Sequence, residues 1–347
     1  MNTLKTKQTS KGGKKRLIRW ISWILILLIF VFGVSFLSLC IGSGGFYLKK
    51  IISAMPAKGT PEYAILFDIR LPRIILGFAV GGALSLAGVI LQGMFRNPLV
   101  EPYTLGISGG AALGVALNIV FRIARNFGVI SMPLSGFLGA GIVIVLLYFL
   151  NVRKRILKIH ELLLCGVMIS FICSSLVMLI MAISKTENLH GIIFWIMGSL
   201  EESNLSLVWA TVFTSILGLI ASYFFCFDLN ALLLGEEEAM HLGINVERTK
   251  RLLFILASLL TGLSVSIAGI IGFVGLLVPH LVRMFIGNDY RVLLIASFLL
   301  GGGFLILCDT LARVVIAPLE LPVGVITGIL GGAFFIFTIL KRKLVSW

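Results

Sequence analysis

Apolar runs of about twenty residues, parted by short polar breaks, fill most of this chain. A helix rising 1.5 Å per residue needs about that many to cross a bilayer core. The pattern predicts ten crossings, at about 20–41, 71–94, 105–124, 131–150, 161–184, 205–226, 250–271, 273–287, 291–315 and 322–340, the eighth being short. His190 to Leu200 is too short to span and reads as a re-entrant or interfacial segment, with Trp195 at headgroup level. The first run follows a basic head as a secretory leader does. It is long, about 22 residues, and lacks a small-x-small cleavage site, so it reads as an uncleaved helix. The predicted fold class is all-α: a polytopic membrane protein of about ten transmembrane helices. Its organisation is a basic tail, 1–19, and one membrane domain, 20–343.

Composition agrees. Of the 347 residues 59% are hydrophobic and 13% charged, against about 25% charged in soluble domains. Mean hydropathy is +1.08, which leaves no room for a sizeable soluble domain. The net charge of +14 raises the question of nucleic acid, but the basic residues flank apolar segments, so topology accounts for them and no nucleic-acid partner is predicted. With both termini inside, 20 of the 29 Lys and Arg fall on inner segments, as the positive-inside rule requires. The nine assigned outside are Lys49, Lys50, Lys58, Arg70, Arg73, Arg122, Arg125, Lys185 and Arg313. Arg70 and Arg73 stand out, because they open an apolar run where positive charge opposes the helix dipole. Pro72 is expected to be the first helical residue. Leu71 is then extended and both arginines point to water.

Glycines recur at small-xxx-small spacing (Gly77/Gly81, Gly106/Gly110/Gly114, Gly324/Gly328/Gly332), which lets helix backbones approach where lipid offers no hydrophobic drive. Gly81, Ser85–Ile90 and Pro98 reappear at one constant offset as Gly262, Ser266–Ile271 and Pro279. The second copy comes five helices later, so the two run in opposite directions: a candidate inverted repeat of the kind found in transporters. The five cysteines (Cys40, Cys165, Cys173, Cys226, Cys308) lie in or beside apolar segments without metal-ligand spacing and read as packing residues.

Chemistry is sparse. Asp309 and Arg313, at i and i+4, read as an internal ion pair, and His280 beside Pro279 as a histidine bonded to backbone. No buried mid-helix carboxylate of the sort an ion-driven pump needs is present, and no phosphate loop for ATP occurs. No catalytic or metal constellation is found, so the chain is not expected to be an enzyme and no cofactor is expected in it. Asn97 and Pro98 read as a helix stop and turn. The inner segment Leu229 to Arg251 carries a short amphipathic stretch (Leu232, Leu233, Leu234, Ala239, Met240, Leu242) with Glu236, Glu237 and Glu238, bracketed by Gly235 and Gly243. Such a compact, glycine-hinged helix suits docking to a soluble partner.

Five motifs in order carry a resemblance: IRLPR (Ile69–Arg73), GxxLSLAGVILQGMFRNPLVEPYTLGISGGAALG (Gly81–Gly114), GEEEAMHLGI, GFVGLLVPHLVR (Gly272–Arg283) and ARVVIAPLELPVGVITGILGG (Ala312–Gly332). From about residue 20 to 343 the chain resembles the FecCD-type permeases, the membrane subunits of type II ABC importers for iron–siderophore complexes, haem and cobalamin. The resemblance implies ten helices per subunit, a second permease subunit (identical or paralogous), two ATPase subunits that bind ATP and magnesium, and a substrate-binding protein outside. It implies that the loop around 229–250, through Gly235, Glu236, Glu237, Ala239, Leu242 and Gly243, couples to the ATPase. It also implies that Arg70, Arg73 and Arg313 face acidic groups of the binding protein. The expected function is translocation of an iron(III)–siderophore complex across a bacterial plasma membrane, both termini cytoplasmic. Haem and cobalamin are the alternatives within the family, and a secondary transporter is the alternative outside it.

Overall fold

The computed structural model describes residues 2–42, 45–46, 60–123, 128–153, 159–202 and 204–340. Lys49, Lys50, Lys58, Arg125, Lys154, Arg155, Lys158 and Lys341 to Lys343 of the charge tally lie outside the described residues.

The helices are α1 (Asn2–Cys40), α2 (Leu71–Phe95), α3 (Ile107–Phe121), α4 (Ser131–Arg153), α5 (Ile159–Ile183), α6 (Thr186–Met197) and α7 (Leu205–Phe224). Then come α8 (Cys226–Leu232), α9 (Glu236–His241), α10 (Val246–Ala268), α11 (Val274–Ile286), α12 (Tyr290–Val314) and α13 (Val323–Leu340). Among the described residues seven helical stretches are long and apolar enough to cross a membrane, and α3, α11 and α13 are shorter apolar helices. The all-α polytopic expectation holds. One two-residue strand pair, Ile41–Gly42 with Gly45–Phe46, follows α1.

Helix α2 is the axis of the molecule, buried along almost its whole length and packed against α12, α10, α7 and α11. Glycine allows this. A Cβ on Gly81 would fall on the carbonyl oxygen of Gly301 in α12, and one on Gly88 would fall on the backbone of Gly275 in α11. Where lipid offers no hydrophobic drive, such backbone approach supplies the packing. Peripheral helices turn apolar side chains outward, such as Phe32 of α1, Ile142 of α4 and Phe171 of α5. All five cysteines are free, and all but Cys165 are buried.

Contacts define two faces. The near face holds the start of α1, the ends of α2 and α11 and the start of α12: Arg16 pairs with Asp289, and Arg19 donates to the Ile286 carbonyl. The far face holds the end of α1, the start of α2 and the end of α12, joined through Arg70, Arg73 and Arg313.

Local signals act largely as read. Helix α2 stops at Arg96, which is left-handed, and the Asn97 amide reaches back to the Gln92 carbonyl at 3.1 Å. The Asn97 side chain then accepts from Leu99 N–H at 2.9 Å, closing the turn. The repeated words run in opposite directions, as expected, but differ locally. Helix α2 continues through Gly88, whereas α10 ends at Ala268 and Gly269 turns left-handed.

The start of α2 departs from expectation. Leu71 is helical, not extended, and Ala64–Arg70 forms a π-helical turn in which the Leu71 amide bonds to the Leu66 carbonyl. Pro72 has no N–H and its ring crowds the carbonyl of the preceding turn. Widening that turn relieves the clash without ending the helix.

Candidate functional site

At the far face the two arginines of the sequence anomaly are not turned to water. Arg70 and Arg73 are 5% and 6% exposed, and Arg313 is 3% exposed. The helical path through Leu71 carries both side chains inward, which corrects the reading of solvent-facing arginines. Arg70 donates to the Leu39 carbonyl at 2.5 Å and lies against Gly42. Arg73 has three carboxylate partners: Nε to Asp309 at 2.7 Å, and Nη1 to Glu320 at 2.7 Å and to Glu201 at 3.0 Å. Arg313 pairs with Asp309 at 3.1 Å, the internal pair the spacing predicted, and donates to Ser38 at 2.6 Å. Buried charge is tolerable only when paired in this manner. Glu201 is the outermost member, its side chain 61% exposed, and Glu320 is 31% exposed.

Beside this cluster lies a cavity of about 420 Å³ lined by Trp195, Ser199, Glu201, Glu202, Ile267 and Gly269 among others. The short segment His190 to Leu200 is helix α6 followed by a turn at Gly198. Trp195 packs on the small apolar cluster of Ala116 and Ile192, because α6 folds back against α3.

At the near face the amphipathic stretch becomes α8 and α9. Gly235 and Gly243 both have positive φ, 136° and 86°, which suits glycine and fixes the two bends. The stretch divides its apolar residues. Leu232 and Ala239 are buried against the body, while Leu234, Met240 and Leu242 are exposed at 64%, 56% and 64%. Glu237 and Glu238 flank them in solvent, and Glu236 pairs with Lys250 at 2.6 Å. The result is an apolar knob with an acidic rim, tied to the start of α10.

Sequence reasoning did not find Asp289, the hub behind this knob. It caps α12, accepts from Arg16 at 2.7 Å and from Arg291 at 2.6 Å, and meets Asn230 of α8. Hydrogen bonding from Arg291 brings its carboxyl down from 3.8 to about 2, against the opposing effect of burial. Trp20 lies between Arg16 and Arg291, at 4.8 and 5.0 Å from its ring centre. The signal was present: an Asp preceding a long apolar run is an N-cap. His280 also departs from expectation, for its Nε2 has no hydrogen-bond partner and its ring packs edge-on to Phe335.

The body now has a central helix held backbone to backbone, a charge-compensated far face and an apolar knob at the near face. A family model described as the FecCD transport family matches residues 25–341. The chain belongs to the FecCD transport family. Hemin transport system permease protein HmuU of Yersinia pestis is 42% identical over 289 residues, covering 80% of this chain and 84% of that protein. Cobalamin import system permease protein BtuC of Halobacterium salinarum is 40% identical over 288 residues, covering 82% and 76%. A solved structure described as an inward-facing ABC transporter of metal-chelate type superimposes with a TM-score of 0.81 at 32% identity, covering 93% of this chain and 99% of that one. This FecCD chain is thus a multi-pass ABC importer permease, a translocation subunit. Among the described residues no group of three or more His, Cys, Asp or Glu could hold a metal ion.

Proposed function

We propose that this FecCD permease carries an iron(III)–siderophore complex, driven by ATPase subunits at the near face and fed by a binding protein at the far face. The observation that carries the reading is the pair of dissimilar faces on one apolar body. An exposed knob of Leu234, Met240 and Leu242 lies at one end, and a ring of paired arginines and carboxylates lies at the other. The near face is cytoplasmic, since most lysines and arginines are assigned to it. The ATPase receives α9 in a groove, with Gly235 and Gly243 as the bends. ATP and magnesium belong to that partner. A second permease subunit, identical or paralogous, completes the pathway, and the protein resides in a bacterial plasma membrane.

On the far face the binding protein docks over Glu201 and Glu320, and Arg70, Arg73 and Arg313 provide the positive charge beneath them. An acidic partner then meets a surface whose own carboxylates are already neutralised. A chelate is favoured as substrate by the likeness to the transporter described as metal-chelate type. Haem is the second reading, favoured by the 42% identity to the hemin permease.

The test is uptake by the assembled importer in proteoliposomes, with the binding protein loaded in turn with a ferric hydroxamate, hemin or cobalamin. ATP-dependent accumulation of the ferric hydroxamate supports the reading. Hemin uptake alone moves it to the second. Flux that persists without the ATPase overturns both.

A further inference from the structure

Between α10 and α11 the chain unwinds inside the membrane body. Gly269 has φ +69° and Phe273, a non-glycine residue, has φ +67°. Ile271, in the middle, is fully buried. Irregular backbone at that depth is tolerated only when its polar groups find partners within the protein. Here the partners are side chains from one remote turn, Asn97 to Gly106. The Tyr103 hydroxyl donates to the Ile271 carbonyl at 2.7 Å and accepts from the Ile271 N–H at 3.2 Å. The Glu101 carboxylate accepts from Phe273 N–H at 2.5 Å, at the N-terminus of α11. A carboxylate there also complements the positive end of the helix dipole.

The break touches packed elements on both sides. Towards the far face, the cavity beside Glu201 ends on Ile267 and Gly269, and Ser199 N–H donates to the Ala268 carbonyl at 2.9 Å. Phe273 lies against Gly331 of α13, and Gly324 of α13 closes on the carbonyls of Met197 and Ile270. Towards the near face, the turn that carries Glu101 and Tyr103 follows directly on α2, whose end meets Leu229 of α8 and Tyr290 of α12. Helix α8 in turn packs on α9.

We propose that Glu101 and Tyr103 are positioning residues for transport: together they latch the unwound Gly269–Phe273 segment, and nucleotide-driven movement at α8 and α9 reaches the far-face cavity through that latch. The proposal rests on the reading of the chain as an ATPase-driven permease. Side-chain hydrogen bonds suit a latch better than helix packing does, because they exchange partners without dismantling a packed core.

The experiment uses the assembled permease–ATPase complex in proteoliposomes, with the five native cysteines replaced and a reporter Ile267→Cys in the cavity wall. A membrane-impermeant maleimide reads reporter labelling with and without ATP and vanadate. In the parent, labelling changes with nucleotide. In Glu101→Ala and in Tyr103→Phe that dependence is lost, and uptake falls about tenfold, the scale of one buried hydrogen bond. ATP hydrolysis and ATPase co-purification persist in both. Glu101→Gln, whose amide oxygen still accepts from Phe273 N–H, restores the nucleotide dependence, which a purely electrostatic role for the carboxylate would not allow. Tyr103→Phe removes only a hydroxyl and serves if Glu101→Ala fails to fold. Parent-like labelling in Tyr103→Phe and in every folded Glu101 variant overturns the latch. A parent that binds no ATPase, or whose labelling ignores ATP, overturns the underlying reading and the latch with it.

Discussion

Arg73 and Asp309, 236 residues apart, meet through a 2.7 Å hydrogen bond from Nε to Oδ1 with both side chains almost wholly buried. This contact fastens the start of α2 to the end of α12. It also explains how a positive residue survives at a helix N-terminus: the compensating charge comes from another helix, not from the neighbouring Asp68, which is exposed.

Removing one member of that pair leaves a buried charge with fewer partners: Glu201 and Glu320 remain for Arg73, and Arg313 for Asp309. Arg73→Ala or Asp309→Ala is expected to cost up to about 3 kcal/mol, the lower end of the range for a broken buried pair. The Arg73→Ala/Asp309→Ala double variant should lose markedly less than the two single variants together. Thermal unfolding of the purified permease in detergent measures all three, and additive losses would count against the pair.

Asp289 makes stability depend on pH. Its folded value, about 2, lies below the ordinary 3.8, so its contribution is complete above about pH 5 and fades as pH falls through 2. The shift corresponds to on the order of 2 kcal/mol. Unfolding curves of the parent and Asp289→Asn should therefore separate by that amount at pH 6 and converge near pH 2. A gap that stays constant with pH would exclude the carboxylate as its source.

The exposed knob should govern assembly without touching the fold. Leu242→Asp changes a side chain that is 64% exposed, so the thermal midpoint of the isolated permease should be unaltered within about 0.5 kcal/mol. Co-purification of the ATPase should drop by at least about 2 kcal/mol, the scale of an interface hot spot. Normal stoichiometry of the purified complex would remove the knob from the interface. Ala239→Leu, at a fully buried position of the preceding helix α9, should instead destabilise the permease itself.

On the far face, reversal of Arg70 or Arg73 would break buried contacts and confound docking with folding. Glu201→Lys is the cleaner probe, since its side chain is 61% exposed. If the binding protein presents acidic groups there, affinity should rise by up to about fivefold, as expected for about 1 kcal/mol of surface electrostatics. The gain should vanish in high salt. Binding titrations at two ionic strengths decide it, and weaker binding by Glu201→Lys would place the dock elsewhere or make the partner basic.

Much of this architecture was legible along the chain. Apolar runs long enough to span a bilayer must become helices there, because every backbone group has to be satisfied internally. The crossings, the hinge glycines Gly235 and Gly243, the turn at Asn97 and the Asp309–Arg313 pair are all local consequences of that rule and of spacing. The motif order carried the family as well.

What the sequence by itself determined is thus the list of helices, the bends between them and the kind of machine they build. Only the tertiary structure decided what the polar residues do. The side chains of Arg70 and Arg73 go inward because a widened turn lets Pro72 continue the helix; Arg70 then bonds back to Leu39 of α1, and the partners of Arg73 come from α12 and from two loops, all more than a hundred residues away. Glu101 and Tyr103 look like ordinary turn residues until Phe273 and Ile271 lie against them. Burial in a low-dielectric interior makes such groups pair, but which groups pair depends on which helices the chain brings side by side, and no local pattern encodes that.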